Sequence, residues 1–161
     1  MNHHKPARLV AGLAGLAVVA SLAAPALADP TPSSAAGAEW LAADLEDGLF
    51  EYSFGGVDAG LNIDAGFAML QAGDDAGAAA LRDALEPETD GYITGEAFGD
   101  EGSTYANATA KLLAFVEASG GDPTSYDGKD LVSRLEAQVG DGSSEAPEGA
   151  LFDTSGFGSF T

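Results

Sequence analysis

Everything after residue 28 of this 161-residue chain lacks imidazole and thiol, because His3 and His4 are its two histidines and it has no cysteine. A Ser-His-Asp triad, a cysteine nucleophile, a zinc site with His or Cys ligands and a disulfide framework are therefore all excluded there. What remains for acid–base work near neutral pH is a set of 26 Asp and Glu residues. Aromatic side chains are the second candidate group: Phe50, Tyr52 and Phe54, then Tyr92 and Phe98, then Tyr105. Set in Gly-rich loops, they could rim a site that stacks sugars or lines an apolar pocket, although packing between helices is the expectation for most such rings. Two stretches offer oxygen ligands for calcium, Asp100-Glu101-Gly102-Ser103 and Asp122 to Asp127. Neither matches a calcium-binding loop that closes on a bidentate Glu, so no metal and no cofactor is expected. The sequon Asn107-Ala108-Thr109 falls inside a predicted helix and carries no expectation of glycosylation.

The elements that must position these groups are helices. Ala38 to Leu45 carries Trp40, Leu41 and Leu45 towards one side. Asn62 is a suitable cap for Ile63 to Ala72, with Phe67 and Leu70 inward and Gly73 beyond the end. Asp74 or Asp75 can open Ala76 to Leu85, which Glu86-Pro87 closes. Ser103 or Thr104 opens Tyr105 to Ala118, and a last helix runs from Lys129 to Val139 with Leu131, Leu135 and Val139 on one face. No segment has the period-2 alternation of an exposed strand, apart from a weak Leu49–Phe54.

The N-terminus reads as an export signal. A basic stretch with Lys5 and Arg8 precedes an apolar run from Leu9 to Ala20, and Pro25 leads into Ala26-Leu27-Ala28. That order of n-region, h-region and small-x-small site predicts cleavage after Ala28 and a secreted, extracellular product without stable membrane insertion. The apolar run is short for a permanent span of about 20 residues. Residues 29–36 read as a flexible leader and 37–161 as the folded part. Only Arg82, Lys111, Lys129 and Arg134 then remain against the 26 acids. Nucleic acid and anionic lipid both recruit clusters of Lys and Arg, so neither is expected as a partner.

A repeat is visible. Leu41-x-x-x-Leu45, Leu81-x-x-x-Leu85 and Leu131-x-x-x-Leu135 lie 40 and then 50 residues apart. Each precedes a Gly-rich loop with aromatics, and the first two loops lead into small-residue-rich helices. Helix, loop, helix units of about 40–50 residues are the signature of stacked helical hairpins. The third unit shows only its first helix and its loop before Thr161, so the expectation is a truncated array whose open C-terminal edge a partner would cover.

The pattern Trp40-Leu41-Ala42-Ala43-Asp44-Leu45, Asp47-Gly48-Leu49-Phe50, Gly60-Leu61-Asn62-Ile63-Asp64-Ala65 and Gln71-Ala72-Gly73 recurs loosely downstream. It resembles the repeats of exported bacterial proteins with a terpenoid cyclase/protein prenyltransferase-like α/α toroid, the prenyltransferase and squalene-oxidase type. The resemblance implies an all-α, incomplete toroid, with Ile63–Ala72 and Tyr105–Ala118 as inner helices and Ala38–Leu45, Ala76–Leu85 and Lys129–Val139 as outer ones. It does not bring the family's chemistry with it. The Asp-x-Asp-Asp motif of the cyclases does not occur here, and the prenyltransferases' zinc ligands include Cys and His. Toroids also host glycosidases with two carboxylates about 5 or about 6.5–9.5 Å apart. Asp64 with Asp100 or Glu101 is the pair that would fit such a cavity, set against the expectation that these are surface carboxylates. The reading is a non-catalytic binding or scaffold module, taking a glycan, a small apolar ligand or a protein. The alternatives are a fragment of a carboxylate-dependent carbohydrate-active enzyme and an apolar-ligand carrier.

Overall fold

A computed structural model describes residues 32–45, 48–96, 99–142 and 148–153, with the side chain of Glu101 excepted. The proposed signal segment and Phe98 lie outside these residues. The chain is mainly α: α1 (Pro32–Ala43), α2 (Ala59–Gln71), α3 (Asp75–Leu85), a 3-10 turn (Glu86–Glu88), α4 (Thr89–Ile93), the strands β1 (Thr94–Gly95) and β2 (Asp100–Thr104), α5 (Ala106–Ala118) and α6 (Leu131–Glu136). Among the described residues no helix is long and apolar enough to cross a membrane.

Three helices start on an aspartate that satisfies a free amide of the first turn. Asp58 accepts from Leu61 N, Asp74 from Gly77 N and Asp130 from Ser133 N, each at 2.9 Å. Helix α2 therefore begins a full turn before the Asn62 start that the sequence suggests, and Asn62 lies inside it, fully buried. Helix α1 begins at Pro32, so residues 32–36, read as leader, are helical. Proline is at ease in a first turn, where its missing N–H has no partner to lose. α1 buries only Ala38, and Trp40, expected on one face with Leu41 and Leu45, is 64 % exposed.

Helix α3 ends at Leu85, before Glu86-Pro87 as expected, but the helical path continues past Pro87. Pro87 sits in the 3-10 turn, Thr89 Oγ1 donates to Glu86 O at 2.8 Å, and α4 follows directly. The mainly α class expected from the sequence holds, with one small addition next: β1 and β2 pair antiparallel, with Thr94 opposite Thr104. Ser103 and Thr104, expected to open a helix, instead end this hairpin. Thr104, β-branched and stiff at χ1, suits the extended strand, and the helix opens one residue later, at Tyr105.

The core is where α2, α3 and α5 meet. Helix α2 packs on both α3 and α5, α5 also packs on α4 and α6, and α1 leans on α2. Ile63, Met69, Leu81, Ile93, Phe115, Val116 and Leu131 are fully buried there. The small residues of α2 have a specific purpose. A Cβ on Gly66 would sit 2.3 Å from Cε2 of Phe115, so only glycine admits that ring at this crossing. Phe67 meets Phe115 edge-on, centroids 5.5 Å apart.

Two cross-links fasten the far end. Arg82 on α3 donates to Ser119 O at the C-terminus of α5 (2.7 Å), and the Tyr126 hydroxyl donates to Arg82 O (2.5 Å). At the near end, the first amide of α5, Ala106 N, donates to Asp153 Oδ1 at 2.6 Å. Tyr105, the residue in the cap position, gives no such bond. Asp153 is held in place by pairing of its segment with the chain after α6, through Phe152 N to Gln138 O (3.0 Å) and Gly140 N to Ala150 O (2.7 Å).

Candidate functional site

The aromatic loop between α1 and α2 is tied to α2 by one side chain. Asn62 accepts from Phe50 N (2.8 Å) and donates to Phe50 O (2.9 Å) and Asp58 O (2.8 Å). Beyond Phe50 the chain folds back tightly, with a Glu51–Val57 bridge, Tyr52 N to Gly56 O and Gly55 N to Tyr52 O. Gly55 and Gly56 both adopt φ near +90°, a conformation that side chains resist. This turn puts Tyr52 and Phe54 on the same side, stacked with centroids 5.0 Å apart and planes 6° from parallel. Ordinary core packing, the expectation for these rings, does not describe them. Tyr52 is 42 % exposed and Phe54 is 85 % exposed. A short loop clamped at its base has no room to fold its tip inward.

The loop tip forms one wall of a cleft of about 710 Å³. Tyr92 on α4 and Tyr105 at the head of α5 line it as well, with Glu88, Asn107 and Ala108 among its other residues. The volume is that of a small-molecule site, about 300–1,000 Å³. Tyr92 is half buried, its ring close to the first turn of α2 near Gly60 and Asp58. Burial raises the Tyr92 phenol above its ordinary pKa, and Asp64 and Asp58 raise it further. Tyr52 is raised by burial and then by Asp58. Both phenols are thus neutral hydrogen-bond donors at physiological pH.

Four of the six aromatic candidates, Tyr52, Phe54, Tyr92 and Tyr105, are brought together here. Phe50 points instead to a neighbouring depression of about 470 Å³, shared with Asp44, Glu51 and Ser53, and Phe98 lies outside the described residues. The carboxylate candidates are engaged separately. Asp64, on α2, pairs with Lys111 of α5 at 2.8 Å, and Lys111 also donates to Gly60 O at 3.0 Å. Asp100, in β2, accepts from Ser103 Oγ at 2.6 Å. Glu101 belongs to the same strand, its side chain outside the described atoms. Neither Asp64 nor Asp100 is part of the cleft wall.

The second calcium candidate also has a local use: Asp122 accepts from the Thr124 N–H (2.9 Å) and hydroxyl (2.6 Å) and from the Ser125 hydroxyl (3.1 Å), which lowers its pKa. Among the described residues no group of three or more carboxylates is placed to hold a metal ion. Asp58 and Glu88 are site residues that sequence reading passed over, and Asn62 enters it only as a helix cap. Asp58 was legible in principle, as a cap residue three positions ahead of Leu61, but Gly60, two positions on, argues against a helix start. Comparison with known protein families, with curated proteins and with solved structures found no match.

Proposed function

We propose that this chain is an exported, non-catalytic binding module, and that the cleft walled by Tyr52, Phe54, Tyr92 and Tyr105 is where it takes its ligand. The observation that carries the reading is the open tip of the aromatic loop. Two stacked rings, one of them 85 % exposed, are held out from the surface by a turn whose base is pinned to a buried asparagine. Leaving that much apolar ring in water costs stability, and exposed aromatic surface beside a concave site is where ligands dock. The carboxylate-enzyme alternative draws no support from Asp64 and Asp100, each engaged with a different partner. For the architecture, an incomplete α/α toroid accounts for α2 and α5 packing on each other as inner helices, with α1 and α3 against α2 and α6 against α5 as the outer set. Export follows from the N-terminal segment, and the mature protein then starts at Asp29.

The test is a ring-resonance titration of the folded protein against a panel of soluble oligosaccharides and small apolar and organic ligands. The reading expects at least one ligand to shift Tyr52, Phe54, Tyr92 and Tyr105 saturably, with the effect lost in Tyr52→Ala and Phe54→Ala. A ligand that perturbs other residues only, or turnover of a labelled polysaccharide that disappears in Asp64→Asn, would overturn it. Intact mass of the exported product checks the cleavage site.

A further inference from the structure

The chemistry of the cleft wall narrows what it takes. Aromatic rings present a negative quadrupole at their faces, which attracts a cation and does nothing for a neutral group of the same shape. Four such rings share the cleft with the carboxylate of Glu88, and among the described residues no Lys or Arg stands in its wall. Behind the rings, Asp58 adds a carboxylate close enough to Tyr92 to raise its titration, as does Asp64, whose charge Lys111 partly offsets. Lys111, the cation nearest that end of α2, is committed to Asp64 and Gly60 O. Arg82 and Lys129 are likewise paired, with Asp83 and with Asp90 and Asp127. The whole chain carries a formal charge of −20, so its long-range field adds to the local one.

We infer that the cleft is a receptor for a small organic cation of the alkylated ammonium class, selected over neutral molecules of equal size by its aromatic wall and by Glu88. This rests on the binding-site reading above. An alkylated ammonium fits the wall better than a primary one. A primary ammonium has three N–H donors that must each find an acceptor on leaving water, whereas an alkylated one has fewer or none to satisfy. The cleft has the space, at about 710 Å³, for such a head with substituents.

The decisive experiment compares choline with 3,3-dimethylbutan-1-ol, its neutral carbon isostere, by ring-resonance titration at constant ionic strength. Cation–π attraction at one to two rings together with a carboxylate predicts a Kd for choline about tenfold below that of the isostere. Glu88→Gln should weaken choline about threefold to tenfold and leave the isostere unchanged. Phe54→Ala, at an exposed position that does not threaten folding, should weaken both. Equal affinity for the two probes would overturn the cation inference while leaving the cleft as a binding site. Saturable binding of a neutral oligosaccharide at these rings with no choline binding would overturn it in the same way. Absence of any ligand effect at the four rings would remove the binding-site reading along with it.

Discussion

Replacing Asn62 by alanine removes three hydrogen bonds in one step, two to Phe50 and one to Asp58 O, from a side chain with no exposed surface. Each such bond contributes about 1 kcal/mol net, and the groups left behind are only partly reachable by water, which sets the expected loss at about 3 kcal/mol. For a domain whose whole stability is about 5–15 kcal/mol, that is a large fraction. With a urea m-value of about 1.5–2 kcal/mol/M, the unfolding midpoint followed by far-ultraviolet circular dichroism falls by about 1.5–2 M. A second readout isolates the cause. The Phe50 amide, held by Asn62 Oδ1 at 2.8 Å, should exchange with solvent much faster in the variant, while Phe115 and Ile63 amides change only with global stability. Ligand binding in the cleft should weaken as well, since the loop base is what holds Tyr52 and Phe54 in place. Asn62→Asp should be worse than Asn62→Ala at pH 7, because it sets a carboxylate against the two carbonyls that the amide now serves. A loss under about 1 kcal/mol, or an unchanged Phe50 exchange rate, would refute the claim that this side chain pins the loop.

Gly66→Ala should lower stability by about 1–3 kcal/mol through its collision with Phe115, whereas Gly37→Ala, whose new methyl meets nothing within 4 Å, should leave the thermal midpoint unchanged or raise it. Tyr126 is raised by burial first and by Glu86 next, so its neutral form favours the fold: that contribution is complete below pH 10.0 and is lost as pH climbs through the folded value. Unfolding free energies of the wild type and Tyr126→Phe, measured from pH 8 to above pH 10, should differ by about 1 kcal/mol at the low end and converge at the high end, and parallel curves would contradict this. Raising ionic strength from about 0.01 M to about 0.15 M shortens the screening length from about 30 to about 8 Å and should raise the thermal midpoint at pH 7, since 26 acids face 6 cations. A midpoint that falls with salt would mean that the ion pairs of Lys111 and Lys129 outweigh the general repulsion.

The parts of the fold that could be read in advance are those whose signals are local. Helix α3 has a capping aspartate at Asp74, buried leucines at 81 and 85 and a basic residue in its last turn, and all four cues agree. The start of α2 is misread because Asn62 is as good a cap by type as Asp58. What decides between them is that Asn62 is needed by Phe50, 12 residues away. Glu86-Pro87 does end α3 at Leu85, but the 3-10 turn that accepts Pro87 and hands the chain on to α4 has no such local signal. The aromatic residues are identifiable as a group, but which of them face the cleft is not. Tyr92, Tyr105 and Tyr52 come from three separate segments, and only the packing of α4 and α5 beside the loop sets them around one space. The Asp64–Lys111 pair is equally invisible, because it spans two helices whose crossing depends on Gly66 admitting Phe115.

The cap on α5 has a consequence in time. Its acceptor, Asp153, lies 47 residues after the amide it serves, and the chain emerges from synthesis N-terminus first. At about 5–20 residues per second, α5 waits several seconds after its own residues appear before Asp153 can reach Ala106. During that interval the helix that carries Phe115 and Val116 into the core lacks one of its terminal bonds. Consolidation of the centre is therefore coupled to arrival of the tail, and a nascent chain stopped at residue 147 should hold α5 more loosely than one extended through Asp153.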